Sequence, residues 1–299
     1  MKPHTARRPK KTLSPIYLEA ADHADNVVVL NRPSRRRRIV FGWYGGKFSH
    51  LDWLLPQLPE THHYCEPFSG SAAVLLNRAP AAVETYNDID GDAVNFFRML
   101  RDRPDEFVRV IALTPFSREE FHHAINGTMQ GISEMERARR FYIRARQTRT
   151  GLAQTSTLGR WANCKNTSRS GMSGAVSRWL GGVEALEDIS TRLLRVQIEN
   201  RPAAEVIRLY DSTQTLFYCD PPYLHETRGD SKAYGFEMDN EQHEELSELL
   251  GRCEGKVAVS GYRCPPMDKW YRGWRRYDAP AMQCHSTKTT RHECLWMNY

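Results

Sequence analysis

The order of apolar runs, tight turns and helical stretches constrains the fold of this chain more than any other feature. Residues 63–76 are typical of a strand, a tight turn and a helix, with the turn at Glu66-Pro-Phe-Ser-Gly-Ser71. Residues 82–86 predict a second strand, which Asn87-Asp-Ile-Asp90 closes, and a helix follows over 93–100. This order of strand, loop, helix, strand and acid indicates the nucleotide-binding half of a doubly wound sheet.

The same alternation of strands and helices is predicted in the second half of the chain. Short apolar runs predict strands over 196–199, 215–219 and 256–260, and helical periodicity predicts helices over 183–195, 203–210 and 241–250. Residues 277–283 and 293–299 predict a closing hairpin. We therefore expect an α/β fold whose sheet is mostly parallel and ends in an antiparallel edge hairpin.

Residues 101–182 interrupt this alternation. They are mainly helical in character and continue into a stretch rich in Gly, Ser, Thr and Asn that contains Trp161. Such a segment between two halves of a sheet predicts a separate inserted lobe. The expected organisation is a tail over 1–38, a body made of 39–100 and 183–299, and an inserted domain over 101–182.

Positive charge is concentrated in two places along the 299-residue chain, whose formal net charge is +6. Residues 1–38 hold ten Lys or Arg against three acids, and residues 137–180 hold ten Lys or Arg with no acid. A basic surface on an otherwise acidic body is typical of a protein that binds a polyanion. We expect the tail to be mostly disordered, and it is either a solvated charge run or a nonspecific phosphate anchor.

Several observations bear on the compartment and on metal binding. No apolar run approaches the roughly 20 residues of a membrane span, and the first residues show no signal-peptide pattern. The seven cysteines include no Cys-x-x-Cys pair, which favours reduced thiols in the cytoplasm. Cys284, His285, His292 and Cys294 lack the spacing of a tetrahedral zinc site, so we expect no metal and no membrane.

The sequence Asp220-Pro-Pro-Tyr223 follows the apolar run over 215–219. The two prolines fix φ near −65° and bias Asp220 toward an extended backbone. The motif therefore holds a carboxylate and an aromatic ring on a stiff turn at the end of a strand. A proline-rich loop without a function remains the alternative for this motif alone.

Three other positions are candidates for binding a ligand. Gly70 allows a tight turn and close approach of the backbone, although the turn lacks a full Gly-x-Gly-x-x-Gly pattern. Asp88 is placed to accept hydrogen bonds from ribose hydroxyls, or else to cap the following helix. Lys47 follows a glycine pair and either binds an anionic group or is a solvated loop lysine.

Taken together and in this order, these motifs resemble the Dam-like family of DNA adenine-N6 methyltransferases from about residue 41 to the end of the chain. The resemblance implies a Rossmann-like methyltransferase sheet that binds S-adenosylmethionine, with residues 101–182 as the DNA target-recognition domain. The implied cofactor-binding residues are Trp43, Gly46, Lys47, Glu66, Phe68, Gly70 and Asp88, and the implied catalytic residues are Asp220, Pro221 and Tyr223. Ala72 departs from the family pattern, which often has glycine there.

The implied reaction is methylation of a specific adenine in double-stranded DNA, as in restriction-modification systems. The adenine amine is a poor nucleophile, and hydrogen bonds to Asp220 and to a proline carbonyl would favour its attack. The base must be flipped out of the duplex, and Tyr223 offers a stacking face for it. Candidate DNA-binding residues in the basic segment are Arg144, Arg146, Arg149, Asn163, Lys165 and Asn166.

Other functions remain open at this stage. Methylation of cytosine N4 or of RNA would use similar chemistry, and a noncatalytic DNA-binding protein on the same scaffold is the alternative of another class. An intact Asp220 and Lys47 favour an enzyme. We expect a monomeric cytoplasmic protein, encoded by a prokaryote or a phage.

Overall fold

A seven-stranded sheet in the order β5-β2-β1-β6-β7-β9-β8 forms the centre of the protein. The structure is a computed structural model that describes residues 37–149, 160–169, 171–224, 236–280 and 293–299. The strands of this sheet are β1 (His63–Glu66), β2 (Val83–Asn87), β5 (Val196–Glu199), β6 (Thr215–Cys219), β7 (Lys256–Tyr262), β8 (Arg275–Asp278) and β9 (Glu293–Met297). A small hairpin of β3 (Ser168–Arg169) and β4 (Met172–Ser173) lies apart from it.

Strand β1 lies in the middle of the parallel part, between β2 and β6. Strands β5 and β7 extend the parallel part on either side, and β9 pairs antiparallel with both β7 and β8. The predicted α/β sheet, mostly parallel with an antiparallel edge, is confirmed. Strand β9 comes last along the chain, yet it lies between two strands that precede it.

Ten α-helices are found among the described residues. They are α1 (Leu51–Leu54), α2 (Ala73–Asn77), α3 (Gly91–Asp102), α4 (Pro104–Leu113), α5 (Arg118–Asn126), α6 (Glu134–Gln147), α7 (Gly174–Leu193), α8 (Ala203–Tyr210), α9 (Asn240–Gly251) and α10 (Pro265–Trp270). Short 3-10 turns at Lys47–His50 and Leu55–Gln57 flank α1. Strand and helix lengths at 196–219 match the sequence prediction.

Two hydrophobic clusters cover the sheet. The larger one joins α1 to α7 with β1 and β2, and includes Phe96, Phe141 and Trp179. The smaller one joins α8, α9 and α10 with β6 and β7, and includes Phe217 and Trp296. Helices alternate with strands along the chain and pack on both faces of the sheet. Parallel sheets require both faces to be covered in this way.

The segment predicted as an inserted lobe shares the larger cluster. The ring of Phe96 on α3 stacks on Tyr142 of α6, with centroids 5.4 Å apart. Both expected boundaries, at 100–101 and at 182–183, fall inside helices, namely α3 and α7. Helix α7 begins at Gly174 instead of 183 because Trp179 packs into the core and overrides the local glycines. A DNA-recognition role for this segment stays a prediction.

Arg38, which the sequence analysis assigned to the tail, belongs to the body. Its backbone N–H donates to Asn77 Oδ1 at 2.7 Å, and its guanidinium pairs with Asp188 on α7. Arg37, also assigned to the tail, forms an ion pair with Asp52, and residues 1–36 are outside the described residues. Within the described residues, none of the helices is long and apolar enough to cross a membrane.

Candidate active site

A cavity of about 530 Å³ opens where β1, β2 and β6 end. The carboxyl ends of parallel strands meet at one edge of a sheet, which is where ligands bind in doubly wound folds. The predicted residues that line this cavity are Trp43, Gly46, Lys47, Glu66, Phe68, Gly70, Asp88 and Asp220. The structure therefore brings all the predicted cofactor residues and Asp220 to one place.

The turn after β1 requires glycine at position 70. Gly70 has φ +49, and a Cβ atom there would lie 2.5 Å from Nε1 of Trp43. The Trp43 indole thus packs directly on the glycine backbone, and the two together form one wall of the cavity. A larger residue would both strain the turn and displace the ring.

Asp88 ties the end of β2 to this turn. Its Oδ2 accepts from the Gly70 N–H at 2.7 Å, and its Oδ1 accepts from the Asp90 N–H at 2.8 Å. The alternative role that the sequence left open, capping of α3, belongs to Asp90, whose side chain accepts from Asp92 and Ala93. Burial raises the pKa of Asp88 to about 6. Each carboxylate oxygen keeps a lone pair for a ligand hydroxyl.

Ala72, the departure from the family pattern, adopts a glycine-like backbone. Its φ of 56° and ψ of 29° are left-handed, and it is the non-glycine residue with positive φ in the described part of the chain. The conformation is unfavourable for a residue with a Cβ by roughly 1–2 kcal/mol. The turn therefore keeps its shape despite the substitution, and position 72 carries local strain.

Glu66 is a buried carboxyl at the cavity wall. Its Oε1 accepts a hydrogen bond from the Tyr64 hydroxyl at 2.6 Å. Burial raises the pKa of Glu66 to about 8, although the bond from Tyr64 and the charge of Arg78 oppose this. A large fraction of Glu66 side chains is therefore protonated near neutral pH, so this wall carries little negative charge.

Lys47 and Asp220 form an ion pair across the cavity mouth. Lys47 is 3% exposed, and its Nζ lies 2.7 Å from Asp220 Oδ1, while it donates to the Gly45 carbonyl at 2.7 Å. Burial lowers the pKa of Lys47, but attraction to Asp220 and Glu293 outweighs this, so the net pKa is raised. Burial raises the pKa of Asp220, against the effect of Lys47. Lys47 is thus a buried cation, not a solvated loop lysine.

Tyr223 lies behind the ion pair. Its hydroxyl donates to Oε1 of Glu293, its ring meets Tyr262 edge to face, and Lys47 Nζ is 4.9 Å from the ring centroid. The side chain is buried and faces a second, small hollow of about 10 Å³, which Pro221 also lines. Stacking of a base on Tyr223 stays a prediction, and this structure shows its ring covered.

The two prolines of the motif differ in their surroundings. The Pro222 carbonyl lies 2.9 Å from Nε2 of His243 on α9, and a carbonyl can only accept, so that nitrogen carries the proton. Helix α9 therefore fixes the loop from one side. This contact engages the Pro222 carbonyl, Pro222 lines the main cavity and Pro221 lines the small hollow, and a role for the Pro221 carbonyl stays a prediction.

The arginines of α6 are mostly paired within the fold. Arg144 lies 2.7 Å from Asp92 and donates to the Ala124 carbonyl, and Arg146 donates to the Arg178 carbonyl. Arg139 pairs with Glu120 and Glu136, and Arg140 pairs with Glu136. The sequence also allows Arg139, Arg140 and Arg144 to form a solvated helix face, whereas the structure leaves each of these side chains only 15–17% exposed. Contact of Arg144 or Arg146 with DNA stays a prediction.

The other predicted DNA-binding residues lie after α6 on the surface. Arg149, Asn163, Lys165 and Asn166 are all exposed. Arg149 donates to Asn163 Oδ1 at 3.0 Å, which holds the two ends of the intervening segment together. These four residues are therefore accessible to a large partner.

One residue of the site escaped the sequence analysis. Glu293 opens β9 and is buried against Lys47 and Tyr223, with its Oε1 3.4 Å from Lys47 Nζ. The available signal was a charged residue leading directly into the apolar run of a buried strand, where carboxylates are rare unless paired. Three members of the cluster weighed as a zinc site, Cys284, His285 and His292, lie outside the described residues.

Comparisons with known proteins place the chain in a family. Residues 43–292 match the family described as D12 class N6 adenine-specific DNA methyltransferase. A DNA N-6-adenine-methyltransferase of Escherichia phage P1 is 25% identical over 78% of this chain and 31% of its own length, so the chain spans about a third of that relative. A DNA adenine methylase of Vibrio cholerae is 24% identical over 80% of this chain and 86% of its own length.

A solved structure, the rRNA methyltransferase aviRa from Streptomyces viridochromogenes, aligns with a TM-score of 0.34 and 13% identity over 84% of this chain and 82% of that one. The family match covers every predicted cofactor and catalytic residue, since they all lie between 43 and 292. The resemblance inferred from the motifs is confirmed: the chain belongs to the D12 class of N6 adenine-specific DNA methyltransferases.

Proposed function

We propose that this protein transfers a methyl group from S-adenosylmethionine to the N6 amine of an adenine in double-stranded DNA. The observation that carries the proposal is the Lys47–Asp220 ion pair at the wall of the cavity that Gly70 and Asp88 also line. A carboxylate beside a ligand cavity at the carboxyl edge of the sheet is what this reaction needs from the protein.

The cavity fits the methyl donor in size and chemistry. Its volume of about 530 Å³ lies within the roughly 300–1,000 Å³ of small-molecule sites. The bare backbone at Gly70 permits close approach, and the Asp88 carboxylate offers acceptors for ribose hydroxyls. Trp43 and Phe68 supply apolar walls. When bound, S-adenosylmethionine supplies an electrophilic methyl group.

Asp220 acts on the target base. Its carboxylate accepts a hydrogen bond from the N6 amine, and the Pro221 carbonyl accepts the second, which favours a tetrahedral nitrogen. Positive charge develops on that nitrogen as the methyl group arrives, and the carboxylate stabilises it. Lys47 fixes one oxygen of Asp220 at 2.7 Å and so orients the other.

The exposed basic segment after α6 meets the DNA. Arg149 and Lys165 contact phosphates, and Asn163 and Asn166 read base edges in the groove. We further propose that the protein acts as a monomer in the cytoplasm, and sedimentation at working concentration tests the oligomeric state.

One experiment tests the proposed reaction. The protein is incubated with labelled S-adenosylmethionine and unmethylated duplex DNA, the DNA is digested to nucleosides, and the products are separated. Label in N6-methyladenine supports the proposal. Label in N4-methylcytosine, label only in an RNA substrate, or no transfer at all contradicts it.

A further inference from the structure

Glu293 completes a cluster of four side chains beside the cavity, in which Asp220 is partly buried and the other three are buried. The cluster consists of Lys47, Asp220, Tyr223 and Glu293, from three separated parts of the chain. Lys47 Nζ lies 2.7 Å from Asp220 Oδ1 and 3.4 Å from Glu293 Oε1, and the same Oε1 accepts from the Tyr223 hydroxyl. The side chain of Glu293 is 8% exposed, and that of Lys47 is 3% exposed.

We propose that Glu293 is a positioning residue for methyl transfer, which holds Lys47 and Tyr223 so that Lys47 orients Asp220 without cancelling its charge. This inference rests on the proposed role of Asp220. Glu293 does not line the cavity with Asp220, so it acts through the side chains that it holds.

The charge of the cluster is the first argument. Lys47 and Asp220 alone would form a neutral pair, and a neutral pair attracts a developing cation weakly. With both carboxylates ionised, the three charged groups carry a net negative charge, and the burial of Lys47 and Glu293 limits its screening by solvent. The negative charge of Glu293 therefore makes the cluster attract the positive charge that develops on the reacting amine next to Asp220.

The geometry of the Lys47 ammonium is the second argument. Its three protons have the Gly45 carbonyl, Asp220 and Glu293 as neighbours. These three acceptors together fix the position of the ammonium group, so it cannot shift toward one carboxylate and away from the other. Without Glu293, the buried lysine would lose one of its compensating acceptors, which is unfavourable for a desolvated cation.

The Tyr223 ring is the third part of the arrangement. Its hydroxyl is anchored by Glu293, its edge meets Tyr262, and its face lies under Lys47 Nζ. Glu293 thus holds the second half of the Asp220–Tyr223 motif as well as the lysine. A single carboxylate sets the position of both ends of the motif.

Replacement of Glu293 by Gln tests the charge and keeps an oxygen for the Tyr223 hydroxyl. We expect kcat to fall about 10- to 100-fold, the range found when an outer partner of a functional group is removed. The Kd of S-adenosylmethionine should change by less than about threefold, since Glu293 lies outside the cavity wall. Glu293→Ala removes the oxygen too, and should lower kcat further.

The pH profile separates this role from a merely structural one. The groups that face Asp220 are Lys47, Glu293, Tyr223, Tyr218, Glu66, His50 and Cys219, and repulsion by Glu293 contributes to its raised pKa. Loss of the Glu293 charge should therefore move the acid limb of the kcat profile to lower pH. The other facing groups are the same in both proteins, so they do not produce this difference.

Asp211→Asn is the matched control, because Asp211 accepts from the Glu254 and Gly255 N–H groups away from the cluster. It should lower the melting temperature and leave kcat unchanged. Wild-type kcat in Glu293→Gln, or a loss of kcat with an unshifted acid limb, would overturn the inference. If Glu293→Gln does not fold, Glu293→Asp takes its place: it keeps the charge but shortens the side chain, so kcat should fall through lost contacts to Lys47 and Tyr223 alone, and wild-type kcat would overturn the positioning role.

A wild-type protein that transfers no methyl group to adenine would instead refute the proposed function, and the positioning role with it. An active wild type with an equally active Glu293→Gln would refute the positioning role alone. The two failures are therefore distinguishable.

Discussion

The carboxyl edge of the sheet and helix α6 both concentrate charge, and they hold it in opposite ways. At the edge, Lys47 and Glu66 are buried and Asp220 is partly buried, and burial raises the pKa of Glu66 to about 8. On α6, Arg139 forms ion pairs with two acids at the surface, and Arg139 lowers the pKa of Glu136. The raised pKa of Glu66 opposes folding at a pH where the carboxyl would be ionised, and the lowered pKa of Glu136 favours folding.

The difference indicates where stability is given up for function. Buried charges and a left-handed Ala72 gather around the cavity, whereas the charges of α6 are paired between helices. Strain and displaced pKa values cluster at sites that bind or react. Substitutions of the paired charges at the edge should therefore reduce function, and substitutions of Arg139 or Arg140 on α6 should reduce stability.

Asp220→Ala gives the largest expected effect. Loss of the carboxylate that stabilises the reacting nitrogen should lower kcat about 100-fold or more. The Kd for duplex DNA should change little, because Asp220 lies in the cavity and not on the basic segment. Single-turnover methylation and DNA binding are measured on the same preparation. Transfer at a rate near wild type would remove Asp220 from the reaction.

Glu66→Gln should change how stability depends on pH. The pKa of Glu66 is raised from 4.5 to about 8, so the folded protein holds a proton that the unfolded chain has released. Stability from this group therefore falls as pH rises between those two values and is level above them. Glutamine removes the fall, and the gain at about pH 9 has an upper bound of roughly 4–5 kcal/mol.

Urea unfolding at about pH 5 and about pH 9 measures this effect. Glu248→Gln, at an exposed position on α9, is the control and should follow the wild type. Equal pH dependence in wild type and Glu66→Gln would show that Glu66 titrates normally. The same experiment would then weaken the contrast between the two regions.

Two pairs of substitutions distinguish the cations of α6 from those after it. Arg149→Gln with Lys165→Gln should lower the slope of log Kd against log salt by about 2, since each lost phosphate contact contributes roughly 0.9. Arg139→Gln with Arg140→Gln should leave the slope unchanged and destabilise the fold by about 1 kcal/mol, because these arginines pair with Glu120 and Glu136. The reverse pattern would place the DNA on α6.

Ala72→Gly gives the smallest expected effect. Relief of the left-handed backbone is opposed by the lost methyl burial and by the greater freedom of glycine in the unfolded chain. The net result should be a gain of up to about 1 kcal/mol in urea unfolding, with no change in the Kd of S-adenosylmethionine. Destabilisation beyond that size would show that position 72 is not strained.

Local patterns predicted a large part of the fold and the cavity. Strands β5 and β6 and helix α8 were found with the predicted bounds, because each is a short periodic run between turn residues. Gly70 and Asp88 were identified because the turn chemistry that places them is encoded next to them. Asp220 was identified because a charged residue directly after a buried strand is conspicuous.

The remaining features depend on contacts between distant parts of the chain. The start of α7 was misplaced because Gly181 and Gly182 resemble a loop, whereas Arg146 packs against Gly182 in the fold. Nothing near Glu293 in the sequence indicates Lys47 as its partner. The pairing of the α6 arginines also depends on acids from other helices.

The position of β9 has a consequence for folding kinetics. This strand enters between β7 and β8, so it makes two non-local pairings at once and leaves two unpaired edges exposed until it arrives. Non-local pairings of this kind form slowly, and open edges favour aggregation. Because Glu293 is the first residue of β9, a nascent chain that lacks this strand has a pocket but an incomplete charge cluster. Methyl transfer should therefore appear only with the slowest phase of refolding.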